Sequence, residues 1–516
     1  MTERPEKQRL FANTIATALA QFGALAIAFL LAPLLIRAFG EEAYGAYVLS
    51  TSVAAFLLLA DFGLGPAVEK LLAERLATGR TSDAGALVST VTAAYAAVGV
   101  FVSLANLALA WAAGRVFHIG EAESGLMQRL LVVAAATALA WWPLSIGARA
   151  LGGLQRYTLT AAVSGGMAAA NAIAAVWVVV AHRGPLELAI ANAAVSLVAI
   201  AVQYVLARRA LARRGVTLSP PRREALRAVL AFSGPVFALQ LAVQVLYHHT
   251  DRLLLGMFVG SVAVTLYEGP ARLVALLVQL TGFGNTALIP FASQLEATRR
   301  NDTLEALLLR GSRYVSAIVA PVAVVLAVLA KPLLVGWLGP AFADSERPTI
   351  LLTALQALLA SLTVGHTIVV ATGKLPGRLP VIMGIVGLNL VLSLVWVRPY
   401  GMTGVALGTV VASLIDFPLH LRYLSRHVGL HVGAFAREVV LPVYPLLLLP
   451  AALAWAARVG GLTTSLAGTL LTFVMAVLLY WMAFLVLMVS RAEREGLIAT
   501  ARALVSGRGG PPKVAG

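Results

Sequence analysis

The sequence contains no cysteine, and charged residues make up only 12% of its 516 positions. The missing cysteine excludes disulfide bonds and thiolate metal sites. The low charge goes with a hydrophobic fraction of 60%, whereas in soluble domains about a quarter of the residues are charged and about half are apolar. This composition predicts that much of the apolar surface faces lipid.

The chain also lacks the motifs of the common catalytic centres. It has no Walker A segment, no His-Glu-x-x-His and no Ser/His/Asp set that can be placed. His248-His249-Asp251 is a weak metal motif, because adjacent histidines on a helix point to different faces. We therefore predict a protein that is not an enzyme and that needs neither a cofactor nor a metal.

The formal net charge is +16. In a soluble protein this excess would suggest nucleic acid as a partner. In a membrane protein it more often reflects lysine and arginine that hold loops on the cytoplasmic side. We therefore predict no nucleic-acid binding.

Apolar runs long enough to cross a bilayer, each about 20 residues or more, recur along the whole chain. They are continuous rather than alternating, which excludes a barrel. We predict an all-α integral membrane protein with about 14 transmembrane helices. The predicted spans are 11–38, 44–66, 84–113, 127–149, 157–181, 186–207, 229–259, 261–291, 313–338, 348–372, 378–398, 402–424, 438–457 and 463–490.

The positive charges fall mainly on one side of these spans. With the N-terminus inside, 29 of the 39 lysines and arginines lie in inner loops or tails, and 8 lie outside. This asymmetry predicts that both termini are cytoplasmic.

The two halves of the sequence resemble each other at a nearly constant offset. Gly40 pairs with Gly260, and Tyr47 pairs with Tyr267. A series of such pairs at one offset indicates duplication. An even number of helices in each copy predicts two six-helix lobes related by a pseudo-two-fold axis along the membrane normal.

The predicted organisation follows from this repeat. The segments are an N-terminal lobe (1–209), a basic cytoplasmic linker (210–228), a C-terminal lobe (229–425), two extra C-terminal helices (438–490) and a cytoplasmic tail (491–516) that is disordered at its end.

Four ionisable residues fall inside the predicted hairpin of the seventh and eighth spans. Asp251 and Arg252 precede Gly260, and Glu268 and Arg272 follow it. At 1.5 Å per residue they lie roughly 12–18 Å deep, near the middle of a core about 30 Å thick. Ionisable groups at that depth usually face a cavity or a partner.

Further polar residues extend this candidate cavity. Gln240, Gln244 and His248 are spaced by four and form one stripe with Arg252 along the seventh span. Asp61 and Asp416 are interpreted as boundary residues near helix ends. Coupling or cavity-edge roles stay open for both, and also for Arg37, which lies near the outer end of the first predicted span.

Two interpretations of the hairpin remain. In one, Arg252 and Arg272 form a cationic pair in a hydrophilic cleft that binds a phosphate or pyrophosphate, for which the guanidinium fork is suited. In the other, Asp251 and Glu268 pair with the arginines and lock the hairpin without a ligand.

Several motifs together resemble those of the polysaccharide transporter (flippase) family of the multidrug/oligosaccharidyl-lipid/polysaccharide exporter superfamily. The order and spacing of the motifs carry this resemblance over residues 10–425. The motifs are Pro33-Leu34-Leu35-Ile36-Arg37-Ala38-Phe39-Gly40, Tyr44-Gly45-Ala46-Tyr47, Ala60-Asp61-Phe62-Gly63-Leu64-Gly65, Phe232-Ser233-Gly234-Pro235, Asp251-Arg252-Leu253-Leu254-Leu255-Gly256, Leu288-Ile289-Pro290, Ala371-Thr372-Gly373-Lys374 and Tyr400-Gly401-Met402-Thr403-Gly404.

The resemblance implies a flippase that moves an undecaprenyl-pyrophosphate-linked oligosaccharide from the inner to the outer leaflet of the bacterial cytoplasmic membrane by alternating access, for cell-surface polysaccharide biosynthesis or export. The implied partners are this lipid, other membrane lipids, and a polysaccharide polymerase and glycosyltransferases. The family's cationic cavity would map onto Arg252 and Arg272, although the first lobe has no comparable arginine at that depth.

Three other functions remain open. A cation-coupled multidrug exporter would share the architecture but would favour acidic cavity residues. A membrane-embedded sugar polymerase or ligase would need a large outer loop, and the outer loops here are short. A scaffold for a synthesis complex is the fourth hypothesis.

Overall fold

The structure of the chain is a computed structural model that describes residues 23, 27, 29–231, 233, 237, 250–282, 285–298, 300–491 and 493–495. Within these residues every regular element is helical. The main helices are α1 (Phe29–Phe39), α2 (Glu41–Leu57), α3 (Leu64–Ala77), α4 (Thr81–Val116), α5 (Glu121–Gly153), α6 (Tyr157–Val180), α7 (Pro185–Ala212), α8 (Thr250–Phe258), α9 (Ser261–Gly282), α10 (Asn285–Ala297), α11 (Asn301–Val328), α12 (Ala330–Leu338), α13 (Glu346–Leu359), α14 (Thr363–Ala371), α15 (Leu375–Val428), α16 (Leu448–Val459) and α17 (Leu466–Leu487).

The all-α membrane fold is confirmed. Eleven helical segments in the described ranges are long and apolar enough to cross a membrane. One of them, α15, covers both predicted spans 378–398 and 402–424, and Gly401 (φ 54°, ψ −130°) interrupts its helical geometry. The predicted spans 11–38 and 229–259 lie partly outside the described residues, so the count of 14 stays a prediction.

The chain divides into two compact units. Of the described residues, one unit contains Gly23 and those within 269–378 and from 413 onward, and the other contains those within 24–268 and 379–412. The division falls within α9, between Glu268 and Gly269, and twice within α15. The boundaries of the two six-helix lobes remain a prediction from the sequence repeat.

Local geometry recurs at the offset of the repeat. Gly40 and Gly260 both have positive φ, 79° and 129°, and each immediately precedes a helix. The positive φ accounts for glycine at both positions, because a Cβ is disfavoured there. This shared backbone geometry supports the pairing of Gly40 with Gly260.

The turns that follow α3 and α10 also match. Thr78 Oγ1 donates to the carbonyl of Glu74 at 3.0 Å, and Thr298 Oγ1 donates to the carbonyl of Gln294 at 2.9 Å. The next helix then starts at Thr81 in one copy and at Asn301 in the other. The same helix-ending hydrogen bond at the same place in both copies supports duplication.

The described residues after α17 are tied to α11. Ser490 N donates to Glu493 Oε2 and Glu493 N donates to Ser490 Oγ, both at 3.3 Å, which is a capping box. Glu493 also pairs with Arg313 at 2.9 Å. Burial opposes ionisation of Glu493, but Arg313 and Ser490 outweigh it, so the pKa of this carboxyl lies below its ordinary value.

Small residues let the helices approach closely, as is common where lipid supplies no hydrophobic drive for helix association. Gly45 of α2 lies against the first turn of α9, and a Cβ at this position would overlap the carbonyl of Ser261. Thr265 Oγ1 of α9 donates to the carbonyl of Glu41 at 2.5 Å. Together these contacts fix α9 against α2.

We predict that Gly45→Ala lowers the thermal unfolding midpoint of the detergent-solubilised protein, because overpacking of a close helix contact costs roughly 1–3 kcal/mol. Gly165→Ala is the matched control, since a Cβ there would meet nothing within 4 Å. Equal midpoints for the two variants would contradict the tight packing of α2 on α9.

Candidate functional site

The candidate site is built on the helical hairpin of α8 and α9. The chain reverses at Gly260, whose N–H donates to the carbonyl of Leu255 at 2.9 Å. His118 N donates to the carbonyl of Gly256 at 2.8 Å, and the Leu49 side chain lies against Gly256. These contacts hold the tip of the hairpin, so the side chains farther along the two helices have defined positions.

Two polar links join α8 to α9. Arg252 Nε donates to Glu268 Oε1 at 2.5 Å, and Tyr267 Oη donates to Asp251 Oδ2 at 2.5 Å. The two residues on α8 are consecutive in sequence, and so are their two partners on α9. The Glu268 side chain is only 6% exposed and that of Arg252 is 15% exposed.

The ion pair matches the alternative in which Glu268 neutralises Arg252. Breaking such a buried pair by removing one partner leaves an uncompensated charge and is strongly destabilising. Asp251 accepts its hydrogen bond from the hydroxyl of Tyr267. Contact of these residues with a substrate stays a prediction.

Of the other predicted cavity residues, the structure describes only Arg272. Arg272 is partly exposed and lies one helical turn beyond Glu268 on α9. Gln240, Gln244 and His248 lie outside the described residues, so the predicted polar stripe with Arg252 stays a prediction.

Asp61 ends the 3-10 turn Leu58–Asp61 that follows α2, as expected for a boundary residue. Its Oδ1 accepts a hydrogen bond from Tyr95 Oη at 2.6 Å, and its Oδ2 accepts one from Gly65 N at 3.2 Å. Asp61 thus caps the start of α3 and links it to α4. Arg37 is exposed near the end of α1.

Sequence reasoning misses two charged residues beside Asp61. Arg149 of α5 pairs with Glu69 of α3 at 3.5 Å, and its guanidinium lies over Gly65. The charge count places Arg149 in an inner loop, but it lies inside α5. An arginine next to a predicted span end cannot be distinguished by hydropathy from one that pairs inside the protein.

The interpretation of Asp416 as a boundary residue is wrong. Asp416 lies inside α15, well before the end of this helix at Val428, and it accepts a hydrogen bond from Arg378 Nη2 at 2.6 Å. Arg378 is 1% exposed, although the charge count assigns it to a loop. The proline two positions after Asp416 suggests a helix end, but the helix continues through Pro418.

Two histidines near this pair are also missed by sequence reasoning. The rings of His366 and His420 have centroids 3.8 Å apart. Asp416 and His420 are four positions apart, and His427 follows two turns later, a helical spacing that could have revealed this polar face. Among the described residues no group of three or more His, Cys, Asp or Glu side chains is placed to hold a metal ion.

Comparison with known proteins assigns the family. A family model described as polysaccharide biosynthesis protein matches residues 10–296, more than half of the chain. The chain belongs to this family. No curated protein matches the sequence.

Solved structures give the fold. Lipid II flippase MurJ in an inward closed conformation is similar with a TM-score of 0.70 and 14% identity, over 91% of this chain and 97% of that chain. An inward-facing multidrug resistance MATE transporter of the MOP superfamily matches with a TM-score of 0.65 and 15% identity, over 79% of this chain and 98% of that chain.

A third match is a ligand complex of the MATE multidrug transporter DinF-BH, with a TM-score of 0.58 and 15% identity, over 83% of this chain and 96% of that chain. At these identities the matches show the fold. The family member described here is therefore a multi-pass membrane protein with a fold of the MOP superfamily.

We predict strong energetic coupling between Arg252 and Glu268. Arg252→Gln and Glu268→Gln should each destabilise the protein by about 3–5 kcal/mol, because each leaves one charge buried without its partner. The double variant should lose much less than the sum of the single losses. Thermal or denaturant unfolding of the four proteins in detergent measures this cycle, and additive losses would contradict the pairing.

Proposed function

We propose that this protein is a flippase that moves an undecaprenyl-pyrophosphate-linked oligosaccharide from the inner to the outer leaflet by alternating access, for cell-surface polysaccharide biosynthesis or export. The observation that carries the proposal is the pair of arginines on the α8–α9 hairpin of a polysaccharide biosynthesis family member. Arg252 lies beside Glu268, and Arg272 follows one turn later.

The substrate chemistry explains why such groups are needed. A polyprenyl chain can stay in the bilayer while the pyrophosphate and sugar cross it, so the protein has to offer polar partners to the headgroup alone. Arginine suits a pyrophosphate because its planar fork binds phosphate oxygens bidentately and stays charged.

The pairing of Arg252 suggests how binding occurs. Because Glu268 already occupies this guanidinium, a pyrophosphate would bind by exchange with the carboxylate. Arg272 would supply a second positive charge. No covalent bond changes in this step, so the reaction requires no catalytic group and the protein acts as a transporter rather than an enzyme.

The proposed setting is the bacterial cytoplasmic membrane with both termini inside. The charge asymmetry of the loops supports this orientation. Glycosyltransferases that complete the lipid-linked sugar and a polymerase that consumes it are the proposed partners. Membrane lipids are the proposed contacts of the exposed apolar side chains on α6 and α17.

Multidrug efflux is the second candidate function. It is favoured by the structural likeness to MATE transporters, since both of those reported above are described as multidrug proteins. A drug exporter would need no arginine that binds phosphate. The two functions therefore differ in which side chains of the hairpin they require.

We predict that Arg252→Gln and Arg272→Gln each reduce lipid flipping at least tenfold, about the loss expected when one charge-assisted hydrogen bond to a phosphate disappears. The assay uses proteoliposomes that hold an undecaprenyl-pyrophosphate oligosaccharide, and a glycosidase added outside measures the arrival of the sugar. Arg129→Gln, an exposed arginine near the start of α5, is the matched control.

The outcomes distinguish the two functions. Normal flipping by Arg272→Gln, together with normal flipping by the folded fraction of Arg252→Gln, would refute the cationic site. Wild-type transport of a cationic fluorescent drug without transport of the lipid-linked sugar would favour the multidrug function.

We also predict the orientation of two exposed positions, one in the first turn of α5 and one in the segment after α7. In a chain without cysteine, a single cysteine is the sole labelling site. Ala122→Cys should react with an impermeant maleimide in whole cells, because the start of α5 is predicted to face outside. Thr217→Cys should react only after the membrane is broken, and the reverse pattern would overturn the predicted topology.

A further inference from the structure

The end of α7 and the linker after it (210–228) carry a high concentration of positive charge. Seven arginines fall within twenty positions, and the same stretch holds one acidic residue, Glu224. All seven arginines are exposed. This arginine cluster consists of Arg208, Arg209, Arg213, Arg214, Arg222, Arg223 and Arg227.

The linker is packed against the protein rather than loose. Val216 is 6% exposed and belongs to the hydrophobic core of its unit. Ser219 Oγ donates to the carbonyl of Ser82 at 3.3 Å. The N–H of Arg222 donates to Thr90 Oγ1 at 2.9 Å. The arginine cluster is therefore a surface with a fixed arrangement of charges.

Little of this charge is neutralised within the protein. Arg222 pairs with Asp83 at 3.2 Å, and both side chains are about half exposed. The other six arginines form no ion pair with any part of the chain that the structure describes. A surface with an excess of one sign of charge attracts partners of the opposite sign. The cluster therefore favours a negatively charged partner.

The exposed face of α7 shows where this surface lies relative to lipid. Val198, Val202 and Val205 are 65%, 42% and 45% exposed, and their spacing of four and three residues places them on one helix face. Arg209 and Arg213 continue the same face over the next two turns. A face that changes from valine to arginine indicates the boundary between hydrocarbon and headgroups, where arginine can reach lipid phosphates.

The length of α4 leads to the same depth. Its 36 residues extend about 54 Å at 1.5 Å per residue, whereas the hydrocarbon core is about 30 Å thick. Shared between both ends, the surplus covers about eight residues at each end. The linker contacts α4 at Ser82, and a Cβ on Gly85 would overlap the carbonyl of Thr217. We therefore expect the linker to lie at the level of the headgroups.

The second copy of the repeat shows that folding back onto the next helix does not itself require this charge. Glu305 of α11, which the offset of 220 pairs with Gly85 of α4, accepts a hydrogen bond from His431 N at 2.8 Å. The segment after α15 thus also folds back. It carries a single arginine, Arg437, beside an acidic residue, Glu438. Packing of the linker therefore does not account for the arginine cluster.

We propose that the arginine cluster binds the phosphate groups of anionic phospholipids in the inner leaflet. The guanidinium fork suits this task because it binds phosphate oxygens bidentately and stays charged. The exposed valines of α7 contact the acyl chains of the same lipids. This surface is distinct from the arginines of the α8–α9 hairpin and requires no lipid-linked sugar.

Lipid retention by the full-length protein tests the proposal. The protein is immobilised in detergent with equimolar phosphatidylglycerol, which is anionic, and phosphatidylcholine, which is neutral, both with the same acyl chains. Mass spectrometry then quantifies the lipids that remain after washing. We expect the wild type to retain phosphatidylglycerol in preference, and we expect high salt to reduce this preference because salt screens exposed charges.

Two variants with the same change in net charge complete the experiment. We expect the first to lose at least about tenfold of the preference, because each arginine near an anionic membrane surface contributes about fivefold to binding. We expect the second, which removes exposed and scattered cations, to keep the preference. The cluster variant combines Arg213→Gln, Arg214→Gln, Arg223→Gln and Arg227→Gln. The control variant combines Arg129→Gln, Arg183→Gln, Lys331→Gln and Arg347→Gln.

Three outcomes would overturn the proposal. Equal retention of both lipids by the wild type is expected of a surface that binds an acidic protein instead. A preference that does not respond to salt would exclude charge as its cause, and this wild-type measurement decides the test even if the cluster variant fails to fold. Equal losses in both variants would show that net charge, not the cluster, sets the preference. The readout contains no transport substrate, so failure of the flippase proposal would leave these outcomes unchanged.

Discussion

The structure depends on the cost of placing charge in a membrane. An isolated charge in hydrocarbon is expensive, and this chain meets the constraint by pairing. Arg252 bonds Glu268 between α8 and α9, and Arg378 bonds Asp416 between the two halves of α15. Each pair also acts as a cross-link, so the same groups that could contact a substrate hold helices together. A substitution at these positions is therefore expected to affect both substrate contact and helix packing.

Most of the fold was predictable because the bilayer fixes the length of an apolar run. The predicted spans 84–113, 157–181 and 186–207 correspond closely to α4, α6 and α7. The prediction was less accurate where helices extend beyond their apolar stretch, as α15 does across Gly401. A hydropathy window also tends to assign an arginine at the edge of an apolar run to a loop. It therefore misplaced Arg378, whose charge is compensated by Asp416.

The candidate site was only partly predictable for a related reason. The depth of a residue within a span follows from residue counting, so the mid-membrane position of the four ionisable residues of the hairpin could be predicted. Their hydrogen-bond partners could not be predicted, because pairing depends on which faces of α8 and α9 meet. Tyr267, noted only for its place in the repeat, is the hydrogen-bond donor to Asp251. His420 was missed because its partner, His366, lies on another helix and is distant in sequence.

The pairing also bears on how an anionic headgroup could be carried. A bare arginine would be costly in the resting membrane protein and would hold a pyrophosphate tightly once bound. An arginine that already has a carboxylate partner avoids both problems, because binding becomes an exchange of one anion for another. Release is then the reverse exchange, driven by the same carboxylate. An ion pair such as Arg252–Glu268 is therefore compatible with transport as well as with stability, and reversible exchange is the property that a carrier requires and a purely structural lock does not.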